Sequence, residues 1–151
     1  MMRVEETAVS RLIEDDLETL MHAHWKECAT DHEAIPFDPD WNAARVMEHA
    51  GILRFFGLFD DGELVGYSVY EVAPHLHFRS TLHAFCQGIY VKPERRKGNA
   101  GAKLIVESER LLAARGAKKF TYCAPHASNL NKVLEKGGYA STETVYTKLV
   151  A

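Results

Sequence analysis

The chain has 151 residues, of which 46% are hydrophobic and 26% are charged, and its formal net charge is −3. This length suits one domain, and the composition is typical of a soluble globular protein rather than a disordered one. No apolar run approaches the roughly 20 residues that span a bilayer, and the acidic N-terminal segment lacks the apolar core of a signal peptide. We therefore expect a single cytoplasmic domain over residues 1–151. A net charge of this sign predicts no membrane or nucleic-acid partner, although local patches could still bind either.

The first third of the chain contains two helical patterns after a possible short strand over residues 3–9. Residues 14–29 place apolar side chains along one helical face and acids in the first turn, which favours a helix. Residues 30–39 contain two prolines and are expected to form a loop. Asp40 is then placed to cap a second helix over residues 41–50, which ends before a glycine.

The middle of the chain has the pattern of an antiparallel hairpin followed by a third strand. The runs 53–59 and 63–72 are rich in strand-forming residues and flank an Asp-Gly turn, which predicts a β-hairpin. Residues 81–91 are expected to form a long strand that ends at Pro93, because proline cannot donate to a sheet.

The last third alternates helices and strands. A helix over 98–115 and a strand over 117–124 complete a β-α-β unit with the strand before them, so those two strands should be parallel. A short helix over 128–136 and a final strand over 139–150 close the chain. The predicted order is β-α-α-β-β-β-α-β-α-β, an α/β fold with a mixed sheet.

The cysteines and histidines give no indication of a metal site. The three cysteines, Cys28, Cys86 and Cys123, are widely spaced, so neither a disulfide framework nor a CxxC metal pair is expected. His75 and His77 would share a face if extended, but no Cys or acid lies nearby at ligand spacing. We predict no metal.

The segment 89–105 carries the clearest chemical signal, because a strand leads through a basic, glycine-containing turn into a helix. A helix N-terminus has unpaired N–H groups and a partial positive charge, which suits an anion. Gly98 and Gly101 would let the backbone approach a diphosphate, and Lys92 and residues 95–97 add positive charge. The spacing matches neither a P-loop nor a Rossmann fingerprint. A solvated basic turn remains the alternative.

The run 95–100, Arg-Arg-Lys-Gly-Asn-Ala, resembles the Arg/Gln-x-x-Gly-x-Gly/Ala turn of the GNAT acetyltransferases. The preceding residues 89–94 are similar to that family's strand before a Val-x-Pro-Glu stretch. Residues 137–139, Gly-Gly-Tyr, resemble its Gly-Phe/Tyr before the last strand. The resemblance implies a GNAT-like fold in which the two parallel strands splay apart at the cofactor site.

The same resemblance implies acetyl-CoA as co-substrate and gives roles to individual positions. Residues 89–91 would pair with the pantetheine arm, the amides of 96–101 would hold the pyrophosphate, and Asn129 would contact the pantetheine. The implied cofactor-binding residues are Ile89, Tyr90, Val91, Arg95, Arg96, Lys97, Gly98, Asn99, Ala100, Gly101 and Asn129.

The catalytic positions depart from the family pattern. Leu134 stands where many members have a tyrosine as general acid, which leaves Tyr122, His126, Tyr139 and Tyr146 as proton donors in this part of the chain. The strand 81–91 has no glutamate to act as base. Its titratable residue is His83, which Glu71 on the preceding strand could orient. An ordered water chain without a single base is the alternative, as is an ordinary surface pair of His83 and Glu71.

The resembling fold lines its acceptor side with the two N-terminal helices and the loop between them. Residues 27–40 hold five acids and no Lys or Arg: Glu27, Asp31, Glu33, Asp38 and Asp40. Such a rim would attract a cationic amine, with Asp31, Glu33 and Asp38 as binding residues. Phe37, with Trp25 and Trp41, could add an apolar wall. A solvated acidic loop is the alternative.

The sequence thus predicts an N-acetyltransferase that acts on a small cationic amine, such as a polyamine or an aminoglycoside-like compound, or on a protein amine. Because the usual catalytic Tyr and Glu are missing, a GNAT-like domain that binds coenzyme A and serves as a regulatory or interaction module is the second hypothesis. Both hypotheses are compatible with a homodimer.

Overall fold

The computed structural model describes residues 1–150, and a five-stranded sheet runs through it. The elements in chain order are β1 (Met2–Glu6), α1 (Val9–Glu14), α2 (Leu17–Cys28), α3 (Trp41–His49), β2 (Leu53–Asp60), β3 (Glu63–His75), β4 (Phe78–Val91), α4 (Ala100–Ala113), β5 (Ala117–Thr121) and α5 (Asn129–Lys136). A single 3-10 turn over Pro93–Arg95 connects β4 to the segment before α4.

The strand order in the sheet is β1-β2-β3-β4-β5, so sequence neighbours are also neighbours in space. The first four strands are antiparallel, and β5 is parallel to β4. The β2–β3 turn uses Asp61 and Gly62, both with positive φ, which is the geometry that favours Asp-Gly in tight hairpins. The helix α4 forms the crossover between the parallel strands. The predicted mixed sheet and its parallel pair are confirmed.

Each face of the sheet carries its own core. On one face, α1, α2 and α3 cover β2 and β3, and the buried side chains include Leu12, Leu17 and Phe59. On the other face, α4 packs through Leu104 and Leu112. The helix α5 lies against α4.

Two predictions near the ends of the chain need correction. The helix expected over 14–29 is present as α2, but the helix α1 before it was not predicted, and the possible strand over 3–9 is β1, which ends at Glu6. The chain bends between α1 and α2 at Asp15 and at Asp16, whose φ is 73°, and Leu12 and Leu17 both reach the core. The final strand expected over 139–150 is absent, and residues 140–150 form no regular element.

Two further features qualify the predictions in the middle of the chain. The hairpin of β3 and β4 extends to His75 and Phe78, where a loop was expected. Asp40 does cap α3, since its Oδ1 accepts a bond from Ala43 N at 2.8 Å.

No helix within residues 1–150 is long and apolar enough to cross a membrane.

Candidate active site

A gap between the parallel strands β4 and β5 is the central feature of the site. Their pairing ends at Phe85 and Thr121, whereas β4 continues to Val91. Residues 86–91 therefore have no strand partner on the side that faces away from β3. Unpaired backbone groups of this kind can bond an extended ligand as a strand would.

A β-bulge in β4 accompanies the gap. Across the sheet, Val69 faces Gly88 and Tyr70 faces Cys86, so Gln87 is an extra residue. A bulge bends its strand and increases the local twist. The bend lies directly after the last residue of β4 that pairs with β5, which explains why the two strands separate there.

The N-terminus of α4 lies beyond the end of β4. Its N-cap residue, Asn99, makes no side-chain capping bond, and the Asn99 carbonyl accepts the first helical bond from Lys103 N at 2.8 Å. Ala100 is buried and anchors the helix start in the core. A Cβ added at Gly98 or at Gly101 would meet no atom within 4 Å. The first amides of α4 therefore face open space, which is the environment an anion needs.

Most cations of the basic turn are already paired with carboxylates. Arg95 contacts Asp60 at 2.8 Å and Glu63 at 3.5 Å, and Lys92 also pairs with Glu63. Both therefore turn toward the end of the β2–β3 hairpin. In the part of the chain that the structure describes, Lys97 is the one cation of this turn without an ion pair. The helix amides and Lys97 are thus the groups that remain for a diphosphate.

Arg96 links the basic turn to α2. Its guanidinium donates to both oxygens of Glu27, at 2.6 and 2.7 Å, and its Nε donates to Val91 O at 2.8 Å. The same guanidinium lies 5.1 Å from the centre of the Tyr90 ring. The pair with Arg96 holds the pKa of Glu27 below its ordinary value. Glu27 is therefore not a free member of the acidic rim.

His24 of α2 lies beside the bulge. Its Nδ1 and the Tyr67 hydroxyl are 2.6 Å apart, and its ring stacks on Tyr90 with a centroid distance of 5.0 Å. A Cβ on Gly88 would lie 3.8 Å from His24 Cε1 and 3.7 Å from Tyr67 Oη. Burial lowers the pKa of His24 and raises the pKa of Tyr67. Burial therefore favours the neutral form of the His24 imidazole.

The predicted pair of Glu71 and His83 is not hydrogen-bonded. Glu71 accepts a bond from Gln87 Nε2 at 2.9 Å instead. His83 lies among aromatic rings, 5.7 Å from the centre of His75 and 6.3 Å from that of Phe78. A carboxylate that already accepts from an amide is not orienting the imidazole.

Two of the tyrosines proposed as acids, Tyr122 and Tyr139, belong to a partly buried hydrogen-bond network. Tyr122 and Tyr139 both donate to Glu109 Oε1 at 2.8 Å, and Tyr70 donates to Tyr122 at 3.0 Å. Burial raises the pKa of Tyr122 and of Tyr139. Leu134 is buried in the core. These hydroxyls tie α4 to the sheet and to the segment after α5.

The remaining predicted residues near α5 are exposed. Asn129 is the first residue of α5, whose N-cap Ser128 accepts a bond from Asn131 N at 3.0 Å. His126 lies in the loop before it, and Tyr146 lies in the C-terminal segment. His126 follows the carboxyl end of β5, the end at which the pairing with β4 stops.

The acceptor loop holds three acids that no cation neutralises within residues 1–150: Asp31, Glu33 and Asp38. Phe37 is half-buried against His22 and Trp25, with ring centroids 5.1 and 6.2 Å apart. Trp41, the third aromatic residue expected in this wall, donates its Nε1–H to Glu18 at 3.4 Å instead. No group of three or more His, Cys, Asp or Glu residues in the described part of the chain is placed to hold a metal ion.

Sequence reasoning missed the pair of His24 and Tyr67. His24 shares a helical face with Leu17 and Leu20, and a histidine on such a core-facing stripe is a sequence signal that could have marked it. Its neighbours come from β3 and β4, far away in the chain, so its hydroxyl partner was not predictable.

Comparisons with known proteins agree with this geometry. The profile of the Acetyltransferase (GNAT) family matches residues 16–138. No curated protein sequence matches the chain. An aminoglycoside acetyltransferase, meta-AAC0020, from an uncultured soil metagenomic sample superposes with a TM-score of 0.76 at 14% identity, over 99% of this chain and 96% of its own.

Two other solved structures give the same result. The ribosomal-protein-alanine N-acetyltransferase of Brucella melitensis biovar Abortus 2308 has a TM-score of 0.74 at 17% identity, over 98% of this chain and 99% of its own. AAC(6')-Iy in complex with the bisubstrate analogue CoA-S-monomethyl-acetylneamine has a TM-score of 0.65 at 19% identity, over 100% of this chain and 99% of its own. At these identities the structural likeness establishes the fold.

Proposed function

The chain belongs to the GNAT family of acetyltransferases, and we propose that it transfers the acetyl group of acetyl-CoA to the amine of a cationic small molecule or a protein. The observation that carries this proposal is the gap between β4 and β5, which opens toward the uncapped N-terminus of α4. One edge offers unpaired strand backbone, and the helix end offers amides for an anion.

The residues present fit acetyl-CoA. The backbone of residues 89–91 would bond the pantetheine arm, and the amides from Gly98 to Gly101 would hold the pyrophosphate with help from Lys97. Bound acetyl-CoA supplies a thioester that an amine can attack. The related fold of AAC(6')-Iy carries a CoA bisubstrate analogue, which supports the choice of cofactor.

The transfer forms an amide C–N bond and breaks the thioester C–S bond, so the attacking nitrogen must lose a proton. His24 is suited to accept it at Nε2, because burial keeps the imidazole neutral and because Nδ1–H can donate to Tyr67. Its position beside Gly88, in the bulge that opens the gap, supports this role. His83 remains a second candidate, without a carboxylate partner.

The acceptor is proposed to lie on the sheet face beyond α2. Glu71 and Phe85 face each other across β3 and β4 there, and Phe85 is 38% exposed. The acids Asp31, Glu33 and Asp38 would attract positive charge toward this face. Acetylation of amines by the aminoglycoside and ribosomal-protein enzymes of the same fold supports an amine acceptor.

A screen of amine classes tests the proposal. Purified protein and acetyl-CoA are incubated with polyamines, aminoglycosides, and peptides with free N-terminal or lysine amines, and free thiol release and acetylated product are both measured. We expect an amine-dependent release above the amine-free hydrolysis control. If acetyl-CoA binds by calorimetry while no amine class is acetylated, the chain is a CoA-binding regulatory or interaction module instead.

A further inference from the structure

The hairpin of β3 and β4 ends in an arm that extends beyond the neighbouring strands of the sheet. The pairing with β2 ends at Glu71 of β3, and the pairing with β5 begins at Leu82 of β4, so residues 73–81 pair with neither outer strand. We call residues 73–81 the hairpin arm. Its tip is exposed, and the exposed fractions of Leu76 and Phe78 are 97% and 58%. Large apolar side chains gathered on a surface in this way are typical of a binding site.

Four aromatic rings meet along the hairpin arm. The ring centre of His75 lies 5.3 Å from those of His77 and Phe78, and 5.7 Å from that of His83. The rings of Phe78 and His83 are parallel within 10°, with centres 6.3 Å apart. We call these four residues the aromatic platform. Three of them, His75, His77 and Phe78, are exposed, so their rings are accessible to a planar ligand.

Three cations without ion pairs lie at the same end of the sheet as the aromatic platform. Lys119 is the pairing partner of His83 across β4 and β5, and Lys118 is the extra residue at the adjoining register shift. Arg79 follows Phe78 on the hairpin arm. All three cationic side chains are exposed, and none of them has a carboxylate partner within residues 1–150. Their charges are therefore available to an anionic ligand.

Neither β4 nor β5 contributes a carboxylate to this surface. Residues 72–93 and residues 110–134 contain no Asp or Glu, although the whole chain has 21 acids against 18 basic residues. The adjoining acid on β3 is Glu71, which is already hydrogen-bonded. Arg115, just before β5, is paired with Glu6 and is not counted among the free cations. The three free cations thus form a local positive surface that the net charge of −3 conceals.

We propose that the aromatic platform and its three cations dock a single-stranded nucleic acid. Unpaired bases would stack on the exposed rings, and phosphates would contact Arg79, Lys118 and Lys119. Charge complementarity favours a polyanion, and the exposed rings favour one with flat bases over an acidic peptide or an anionic membrane. The surface lies at the start of β4, whereas the N-terminus of α4 lies beyond its end, so a bound cofactor leaves it free. This proposal does not depend on acetyl transfer.

Fluorescence anisotropy of a labelled oligonucleotide tests the proposal. The probe is a single-stranded oligoadenylate of about 12 nucleotides, within the roughly 4–16 nucleotides that a small binding domain covers. Saturating acetyl-CoA is present throughout, so that the probe cannot bind in the cofactor site. Three contacted phosphates predict a slope of about −2 for the logarithm of the affinity against that of the salt concentration, because each contributes about −0.7.

A charge variant and a matched control test the cations. The triple variant Arg79→Gln, Lys118→Gln and Lys119→Gln should bind the probe at least tenfold more weakly at low salt, with a slope near zero. The control changes three other exposed cations to Gln: Arg45, Lys136 and Lys148. Both variants lower the formal net charge equally, from −3 to −6. The control should retain the affinity and the slope of the wild type.

Variants at Phe78 test the stacking. Phe78→Leu keeps an apolar side chain but removes the aromatic ring, so the affinity should fall at least fivefold with the salt slope unchanged. Phe78→Tyr keeps the ring and should bind as the wild type does. Every variant should retain the wild-type affinity for acetyl-CoA, which shows that it is folded.

Three results would overturn the proposal. The first is the absence of oligonucleotide binding at low salt. The second is an equal loss of affinity in the charge variant and its matched control, which would mean that only net charge matters. The third is equal affinity for polyglutamate or for phosphatidylserine vesicles, which would assign the surface to an acidic protein or to a membrane.

Discussion

Gly98 and Gly101 both leave room for a ligand, but they differ in backbone conformation. Gly98 has φ +79°, where any side chain is strained, so a substitution there disturbs the fold as well as binding. Gly101 has no such φ and is the second residue of α4. A side chain at Gly101 therefore tests the cofactor site without backbone strain.

Gly101→Asp should have opposite effects on stability and on binding. A carboxylate in the first turn interacts favourably with the helix dipole, by about 0.3–1 kcal/mol, so the melting temperature should stay the same or rise. The same charge repels a pyrophosphate, so the affinity for acetyl-CoA should fall tenfold or more, about 1.4 kcal/mol. Calorimetry of Gly101→Asn, which has similar size without charge, separates charge from bulk. Equal affinity of the wild type and both variants for acetyl-CoA would mean that the pyrophosphate does not bind at the N-terminus of α4.

His24→Gln should lower kcat by about 10²–10⁴-fold, the usual contribution of a positioned base. Burial lowers the pKa of His24 from its ordinary value of 6.5, so the wild-type rate should fall with decreasing pH only below 6.5. Tyr67→Phe should shift this limb while leaving the ring packing in place. His83→Gln is the control and should retain most of the activity. The reverse ranking of the two histidine variants would assign the proton transfer to His83.

Burial of His24 also affects stability. Its folded pKa is lowered, so the unfolded chain binds a proton first as the pH falls through 6.5. The free energy of unfolding should therefore decrease below that pH, and His24→Gln should remove this part of the decrease. Thermal unfolding of both proteins at neutral pH and in mild acid measures the difference.

At the scale of elements, the segment from β4 through α4 was predictable because its signals are local. Alternating strand residues, Pro93, two glycines and a helical apolar period follow one another within one short segment. The basic turn was predicted as a cluster of free cations, however, and it is not one. Arg95 and Arg96 are paired with Asp60 and Glu27, which lie far away in sequence, and such contacts have no local signature.

The elements that sequence reasoning missed depend on tertiary context. The predicted helix over 14–29 corresponds to α2, but α1 was not predicted, because a helix of six residues is too short to show a clear helical period in the sequence. Residues 139–150 have strand propensity, but a strand forms only where a neighbouring edge accepts its hydrogen bonds. The bulge at Gln87 likewise follows from sheet register and separates β4 from β5.

The ion pair of Arg96 and Glu27 connects α2 to the basic turn before α4. Glu27→Gln should cost at most about 1 kcal/mol of stability, because the pair is partly exposed. Arg96→Gln should cost more, since it also loses the bond to Val91 O and the contact with Tyr90. Denaturant unfolding of both single variants and the double variant measures the coupling. Equal losses in the two single variants would mean that the extra contacts of Arg96 contribute nothing.

The same pair has a pH signature. Arg96 lowers the pKa of Glu27 from its ordinary value of 4.5, so the stabilisation is complete above that pH. It is lost as the pH falls further, through the lowered pKa of the folded state. Glu27→Gln should remove this dependence in the acid range.

Over the whole molecule, positive and negative groups are separated despite the small net charge. The N-terminus of α4 and Lys97 are proposed to hold an anionic cofactor, whereas Asp31, Glu33 and Asp38, in the loop after α2, have no ion pair within residues 1–150. Replacing these three acids by Asn or Gln should raise the apparent KM for a cationic amine severalfold. The KM for acetyl-CoA should stay nearly unchanged, because the cofactor is proposed to bind at the positively charged N-terminus of α4 and not at these acids.

Salt and a charge-matched control separate a local field from net charge. The penalty of the triple variant should shrink with added salt, because screening acts over about 10 Å at 0.1 M. A control with Glu14, Asp15 and Glu135 neutralised changes the formal net charge equally, from −3 to 0, at positions outside the loop. Its KM for the amine should match that of the wild type. If both triple variants behaved alike, the amine would be responding to net charge alone. If neither differed from the wild type, the loop would be a solvated surface and the acceptor would be a neutral or anionic compound.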